Sequence, residues 1–299
     1  MMTGNEYKES LRKIHPRIYY MGEKIDCVVD HPMIKPHVNS AAMTYDLACD
    51  PMYENLMTAT SHLTGKKVNR FTHIHQSIED LVNKVKMMRM IAQKTGTCFQ
   101  RCVGFDAMNA TFITTYNMDK KYGTNYHERF KKWMTYVQEN DLMIAGAMTD
   151  VKGNRSLKPS KQADPDLFTH VVEKREDGVI ICGAKAHMTG MANSHEMLIL
   201  PTTNLLDGDQ DYAIACAVPV DAEGITHIFG RQTNDQRRLQ GDLDTGNSEY
   251  AIVGGETLTV LDHVFVPWDR VFMCGEVDFA QDYVARFAAY HRQNYGGCK

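Results

Sequence analysis

No run of roughly 18 or more apolar residues occurs in this chain, so an ordinary membrane-spanning helix is excluded. A basic surplus is missing as well. Lys and Arg total 33 against 37 Asp and Glu, and the net charge of −4 offers no positive field for nucleic acid. There is no Gly-x-Gly-x-x-Gly and no Walker-type loop, which removes two phosphate-cradling fingerprints. Internal repeats and low-complexity tracts are absent. The opening Met1-Met2-Thr3-Gly4-Asn5-Glu6 has neither a basic stretch nor an apolar core, so no secretory leader is expected, and the cytoplasm is the expected compartment. Eight cysteines are scattered rather than packed into a framework, which favours reduced thiols and metal chemistry over disulfides.

What is present suits an enzyme-sized globular protein. The 299 residues are 43% hydrophobic and 23% charged, and that length can bury a large core and favours more than one domain. Residues 1–141 read mainly as a helical domain. Ser77-Ile78-Glu79-Asp80 has the form of a helix-start box, and Ile78, Leu81, Val82, Val85, Met88 and Ile91 follow at helical spacing. Gly96 ends or interrupts that helix, and Thr97 is placed to cap another that carries Cys98, Cys102, Phe105 and Phe112. Tyr126, Phe130, Trp133, Met134 and Val137 mark one further helix, and residues 17–29 read as a short hairpin turning at Gly22.

Near Leu142 the character changes. Short apolar or alternating runs at 142–147, 168–174, 179–184, 197–200, 212–219 and 257–266 are bounded by turn residues such as Glu176-Asp177-Gly178 and Asp207-Gly208-Asp209. Closely spaced strands without intervening helices predict a β-barrel or sandwich domain over residues 142–276. Helical spacing returns with Phe279, Tyr283, Phe287 and Tyr290, so residues 277–299 read as the start of a third, helical domain that is cut short. The expected fold class is α+β.

Four residues stand out chemically. Cys98 and Cys102 are four apart and His291 and Cys298 seven apart, so on helices each pair shares one face. Two such helices side by side could offer three thiolates and one imidazole to a single point, as sites in helical folds are built. That soft set suits an iron–sulfur cluster or zinc and rejects magnesium or calcium. The plain alternative is that Cys98 and Cys102 are two small apolar residues on a core face. His73-Ile74-His75 alternates like a metal pair on a strand, but it has no third ligand nearby and reads as polar surface or as support around another site.

The helical, β, helical order resembles the acyl-CoA dehydrogenase-like flavoproteins, and particular motifs narrow the resemblance. Residues Glu256-Thr257-Leu258-Thr259-Val260-Leu261-Asp262-His263-Val264-Phe265-Val266-Pro267-Trp268-Asp269-Arg270 resemble the end of the β domain in the 4-hydroxyphenylacetate 3-hydroxylase superfamily. Met148-Thr149-Asp150-Val151-Lys152-Gly153-Asn154-Arg155-Ser156 is similar to that superfamily's flavin-contacting loop, and Lys185-Ala186-His187-Met188-Thr189-Gly190 to its second flavin segment. Cys98-x3-Cys102 with His291-x6-Cys298 resembles the ligand set of its 4-hydroxybutyryl-CoA dehydratase branch, as do Tyr7-Lys8-Glu9-Ser10-Leu11-Arg12 and Arg17-Ile18-Tyr19-Tyr20-Met21-Gly22.

The resemblance implies radical dehydration of 4-hydroxybutyryl-CoA to crotonyl-CoA, with vinylacetyl-CoA Δ-isomerase activity. It implies FAD and a [4Fe–4S] cluster, the latter on Cys98, Cys102, His291 and Cys298. Met148, Thr149, Asp150, Asn154, Arg155, Ser156 and Thr189 are the implied flavin contacts. His291 is the implied base at C2 of the substrate; a purely structural ligand is the alternative. Glu256 is implied as an acid/base or orienting residue, against a carboxylate that caps a strand end. Tyr295 and Lys299 are implied near the substrate, against a packed tyrosine and a solvated lysine. The implied partners are a CoA thioester and, for the full-length enzyme, three further copies in a homotetramer. A phenol monooxygenase of the same superfamily and a zinc-stabilised, non-catalytic module are the alternatives.

Overall fold

The computed structural model describes residues 1–96, 98–230, 249–250 and 255–298, with side chains to residue 294 in the last stretch. The side chains of Tyr295 and Cys298, together with Thr97 and Lys299, therefore lie outside the described residues. The chain opens with helix α1 (Gly4–Leu11), capped by Thr3 and Glu6 in a reciprocal box. Strands β1 (Ile18–Tyr20) and β2 (Glu23–Ile25) form the expected hairpin. Its turn residues Met21 and Gly22 have φ of 53° and 89°, the doubly left-handed geometry that matches strand twist. Helices α2 (Lys35–Cys49) and α3 (Glu54–Met57) and the small hairpin β3 (Thr58–Thr60) and β4 (Lys67–Asn69) follow.

Three longer helices come next: α4 (Ile78–Thr95), α5 (Cys102–Tyr122) and α6 (Tyr126–Glu139). Helix α6 buries the expected Tyr126, Phe130, Trp133, Met134 and Val137. In α4 the buried side is turned from the expected stripe. Lys84, Met87, Met88, Ile91 and Thr95 are buried, while Ile78 and Val82 face out, because this side lies against the last helix and shares a core cluster with Phe99, Cys102 and Phe105. Ser77 and Asp80 make the expected capping box.

The strands that follow are β5 (Ile144–Ala147), β6 (His170–Lys174), β7 (Gly178–Thr189), β8 (Glu196–Ile199), β9 (Ile214–Pro219), β10 (Ile225–Phe229), β11 (Glu256–Pro267) and β12 (Val271–Cys274). Among the described residues they do not close into a barrel, one of the two forms expected, but form two open sheets, one ordered β2-β1-β10-β11-β7-β6 and the other β12-β9-β8-β5. The sheets share one core, with Val179, Ile181, Leu261 and Val264 from the first meeting Met197, Ile199, Ala215 and Phe272 from the second. A sheet that buries one face against another sheet and its helices needs no closure. The N-terminal hairpin joins the larger sheet, β1 lying parallel to β10 with Ile18 opposite His227.

Helix α5 lies so close to β5 that a Cβ on Gly104 would sit 1.8 Å from the Ile144 carbonyl oxygen. Only glycine tolerates that approach, and it fixes where Cys102, two residues earlier, stands. The chain ends in helix α7 (Ala280–Cys298), packed on α4 and α5. Among the described residues, no helix is long and apolar enough to cross a membrane.

Two buried histidines make the fold sensitive to acid. His227 is fully buried, its Nε2 2.8 Å from the Val220 carbonyl and its Nδ1 2.9 Å from the Thr259 hydroxyl. His195 accepts the Met143 N–H at Nδ1 and reaches the Ser10 hydroxyl through Nε2 at 2.8 Å. Burial pushes both down to about 4, with the Arg101 charge adding to the effect at His195. The unfolded chain takes up these protons near pH 6.5, the folded one only near 4. Their contribution is therefore complete above about pH 6.5 and is lost as pH falls toward 4, by about 3 kcal/mol for each ring. Urea midpoints measured from pH 7 to 4.5 should fall accordingly. His227→Gln should show a shallower pH slope, whereas parallel profiles would contradict this assignment.

Candidate active site

The sulfur pair is built differently from its spacing. Helix α4 ends at Thr95 with Gly96 in the left-handed region (φ 65°), and α5 begins only at Cys102. Cys98 therefore lies on the connecting loop, not on a helix face, which corrects the expectation. The loop returns through Gln100, whose φ of 68° is unusual for a residue with a side chain. This turn carries the Cys98 thiol back to hydrogen-bonding range of Cys102. That contact, with the Gln100 backbone N–H, draws the Cys98 thiol below the ordinary cysteine range, against burial and the Glu256 carboxylate. Neither sulfur is in a disulfide among the described residues.

His291 arrives from α7. Asp106 lies four residues beyond Cys102, on the same side of α5, and its Oδ2 stands 2.9 Å from His291 Nδ1. His291 is thereby brought alongside the face of α5 that carries Cys102. Its ring also stacks on Phe287, with centroids 5.1 Å apart and planes within 18°. Cys298 is the final residue of α7, and its side chain lies outside the described residues.

A polar wall stands beside the cysteines. Gln100 is buried, and its amide nitrogen is 2.6 Å from His37 Nδ1, while no donor among the described residues reaches its Oε1. Gly190 (φ 74°) packs on Gln100 so tightly that a Cβ would come within 3.0 Å of its backbone oxygen. Gly255 closes on the His37 ring in the same way, at 3.1 Å. Glu256 opens β11 opposite Thr189 of β7, with Thr189 Oγ1 3.5 Å from Glu256 Oε1 and His187 Nδ1 3.6 Å from Oε2. Arg101 is buried between the rings of Tyr45 (4.1 Å) and Phe71 (4.7 Å) and donates to Thr44 Oγ1. Gln100, Arg101 and His37 had no signal in the sequence, since the first two read as polar filler between cysteines.

The two segments likened to flavin contacts are adjacent. Asp150 bridges to Lys185 across strands, and the Ala186 N–H donates to the Thr149 carbonyl at 2.8 Å. Lys185 Nζ lies 2.8 Å from Asp150 Oδ1 and donates to the carbonyls of Met148 (3.0 Å) and Leu200 (2.9 Å). Both charged side chains are nearly fully buried, so the Asp150 carboxylate faces inward and serves the backbone around it. Asn154 Oδ1 accepts from the backbone N–H and the hydroxyl of Ser156. Lys152, Arg155, Ser156, Lys158 and Thr202 line an open pocket of about 270 Å³.

Two further sequence motifs, at Tyr7 and at His73-Ile74-His75, have clear places in the fold. Tyr7 is a packing residue, stacked on Tyr45 at 4.6 Å with its hydroxyl donating to the Asn193 carbonyl. His73 is buried 3.2 Å from Asp80, not on the surface, and His75 lies against Phe105 (4.9 Å) and Tyr290 (5.7 Å). A separate donor group, Cys182, Asp262 and His263, has its ligand atoms within 4.8 Å of one another where β11 bulges against β7.

A helical N-terminal layer over two sheets, with paired cysteines at their junction, defines a class. The chain belongs to the 4-hydroxyphenylacetate 3-hydroxylase N-terminal family, which matches residues 3–273. Within it, the chain is 56% identical over 301 residues to 4-hydroxybutyryl-CoA dehydratase/vinylacetyl-CoA-Δ-isomerase of Clostridium aminobutyricum, covering all of this chain and 61% of that protein. It is similar to a solved oxygen-tolerant archaeal 4-hydroxybutyryl-CoA dehydratase from N. maritimus, with a TM-score of 0.95, 52% identity, and 99% of this chain and 58% of that one covered. The oxygenase component of 4-hydroxyphenylacetate 3-monooxygenase, solved in complex with FAD, superposes with a TM-score of 0.79 at 26% identity, covering 100% of this chain and 62% of that one. The chain spans about three-fifths of the length of these relatives.

Proposed function

We propose that the protein is a radical dehydratase that converts 4-hydroxybutyryl-CoA to crotonyl-CoA and also isomerises vinylacetyl-CoA. What supports this reading is the Cys98–Cys102 pair, with an imidazole held by Asp106 one turn further along the helix that Cys102 opens, in a chain 56% identical to a protein of that name. In the net reaction hydroxide leaves C4, one proton leaves C2 and one leaves C3, and one proton is returned to C4, so that only water is lost. Isomerisation of vinylacetyl-CoA uses the C2 and C4 transfers alone, which explains why one site serves both. The C3 proton is unactivated by the thioester, and this demands more than a side-chain base. FAD, when bound, supplies reversible one-electron transfer, and a [4Fe–4S] cluster supplies a Lewis acid for the 4-hydroxyl.

The residues present fit both groups. Cys98, Cys102 and His291 would hold the cluster, with Cys298 as fourth ligand; the lowered Cys98 thiol and the carboxylate-anchored imidazole are what metal ligation requires. Met148, Thr149, Asn154, Arg155, Ser156 and Thr189 would hold the flavin, with Asp150 bracing their loop from behind through Lys185, and the cations Lys152, Arg155 and Lys158 around one pocket suit a phosphate-bearing ligand. His291 takes the C2 proton when its Nε2 is not ligating, since a ring that donates from Nδ1 and ligates through Nε2 has no lone pair left, and Glu256 holds or moves a proton near the substrate. Gln100, between the two cysteines, offers an amide oxygen that has no partner among the described residues. The family resemblance would add Tyr295 and Lys299 near the substrate; their side chains lie outside the described residues.

The test is turnover by the whole gene product, purified without oxygen. Formation of crotonyl-CoA from 4-hydroxybutyryl-CoA, with exchange of the C2 proton in deuterated water, is the expected result. Hydroxylation of a phenol with reduced flavin and oxygen, without dehydration, would overturn the reading.

A further inference from the structure

Three helices meet on one carboxylate. Asp106 on α5 is fully buried, and so is Lys84 on α4, whose ammonium contacts Asp106 Oδ1. The same ammonium donates to the Tyr290 carbonyl of α7 at 2.8 Å and lies 5.5 Å from the Phe105 ring centroid. On the other oxygen, Asp106 Oδ2, the amide of buried Asn294 donates at 2.5 Å and His291 Nδ1 stands at 2.9 Å. With Lys84 donating to Oδ1 and Asn294 donating to Oδ2, the carboxylate acts as the hydrogen-bond acceptor of this cluster. Asn294 Nδ2 also lies 3.2 Å from His291 Nδ1, but its shorter contact is to the carboxylate, so the 2.9 Å contact of Nδ1 with an oxygen that only accepts puts the proton on Nδ1 and, in the neutral ring, the lone pair on Nε2. This is the arrangement in which metal-bound histidines are held, the second nitrogen donating to a carboxylate that fixes tautomer and ring angle.

We propose that Asp106, with its charge held in place by Lys84, is the positioning residue that locks His291 in the Nδ1–H tautomer and presents Nε2 to the metal centre. The inference rests on the cluster reading above. Asn294 locks the carboxylate from one turn beyond His291, so α7 supplies both the ligand and its brace. Without the acceptor the imidazole populates both tautomers and loses its fixed angle, and retention of the metal weakens. A purely structural ion pair joining α4 to α5 would predict neither effect.

Two measurements test this, one without metal and one with it. In the metal-free chain labelled with 15N-histidine, long-range proton–nitrogen correlation at pH 8 should show His291 as the Nδ1–H tautomer, and Asp106→Asn should abolish that bias. An Nε2–H tautomer in the parent would overturn the proposal whatever the metal content. In the whole gene product, Asp106→Asn should release iron to a chelator roughly 10–100-fold more readily than the parent, with Asp106→Glu restoring part of the loss. Lys84→Met/Asp106→Leu replaces the buried pair by apolar groups that keep the fold, as circular dichroism would verify. If that folded double variant retains iron as tightly as the parent, Asp106 is structural only and the proposal fails. A parent that binds no iron at all would sink the cluster reading instead, and the tautomer measurement would still decide whether Asp106 sets His291.

Discussion

Cys102→Ala in the whole gene product is expected to lose iron, sulfide and dehydratase activity together, each by roughly tenfold or more. The Cys102 thiol is buried at the first turn of α5, two residues before a glycine that cannot be moved off β5. That close approach fixes the backbone that carries the thiol, and alanine offers no ligand atom in its place. Cys98→Ala should do the same for a different reason. Its sulfur reaches Cys102 only through the strained turn at Gln100, and water cannot substitute for a thiolate at a soft metal. The check is iron and sulfide analysis of both variants against His263→Ala, which belongs to the separate group at Cys182 and Asp262 and should retain full iron. Full iron in the two cysteine variants would remove these residues from the site.

A comparable loss of stability is expected from Lys185→Met. Its ammonium satisfies the Asp150 carboxylate and the carbonyls of Met148 and Leu200, all at or below 3.0 Å. Removing one partner of a buried pair leaves an uncompensated charge, which costs about 3–5 kcal/mol. Residues 148–150 then lose the cation that holds them against β7, so FAD retention should fall with stability. Lys185→Met/Asp150→Leu should recover much of the stability, since an apolar pair leaves no charge behind, but not the placement of the loop. Urea denaturation of both variants measures the first effect and flavin content after gel filtration the second. A single variant as stable as the parent would contradict the assignment.

How far the sequence discloses this protein depends on how local each cause is. Helix α6 is legible because one stripe, Tyr126 to Val137, packs on one surface. The hairpin at Gly22 is legible because two left-handed turn residues mark it. Sheet closure is not legible, because it depends on pairings such as β1 with β10 that lie some two hundred residues apart. The Cys98–Cys102 spacing gives the right pair for a reason that does not apply. Gly96 and Gln100 pull Cys98 off the helix, and the turn brings it back. Lys84 is hidden more thoroughly. Between Asn83 and Lys86 it reads as one more solvated lysine, and only the approach of α5 and α7 makes it the buried partner of Asp106. The family motifs supply what spacing alone leaves open, above all the link between Cys98–Cys102 and His291 far along the chain.

The central claim is that Cys98, Cys102 and His291, with Cys298, hold an iron–sulfur cluster next to a flavin. It is tested most directly by measuring iron, acid-labile sulfide, zinc and FAD per chain in the anaerobically purified gene product. About four irons, four sulfides and one FAD are expected, with a brown colour that bleaches in air. Stoichiometric zinc without sulfide or flavin would contradict the account.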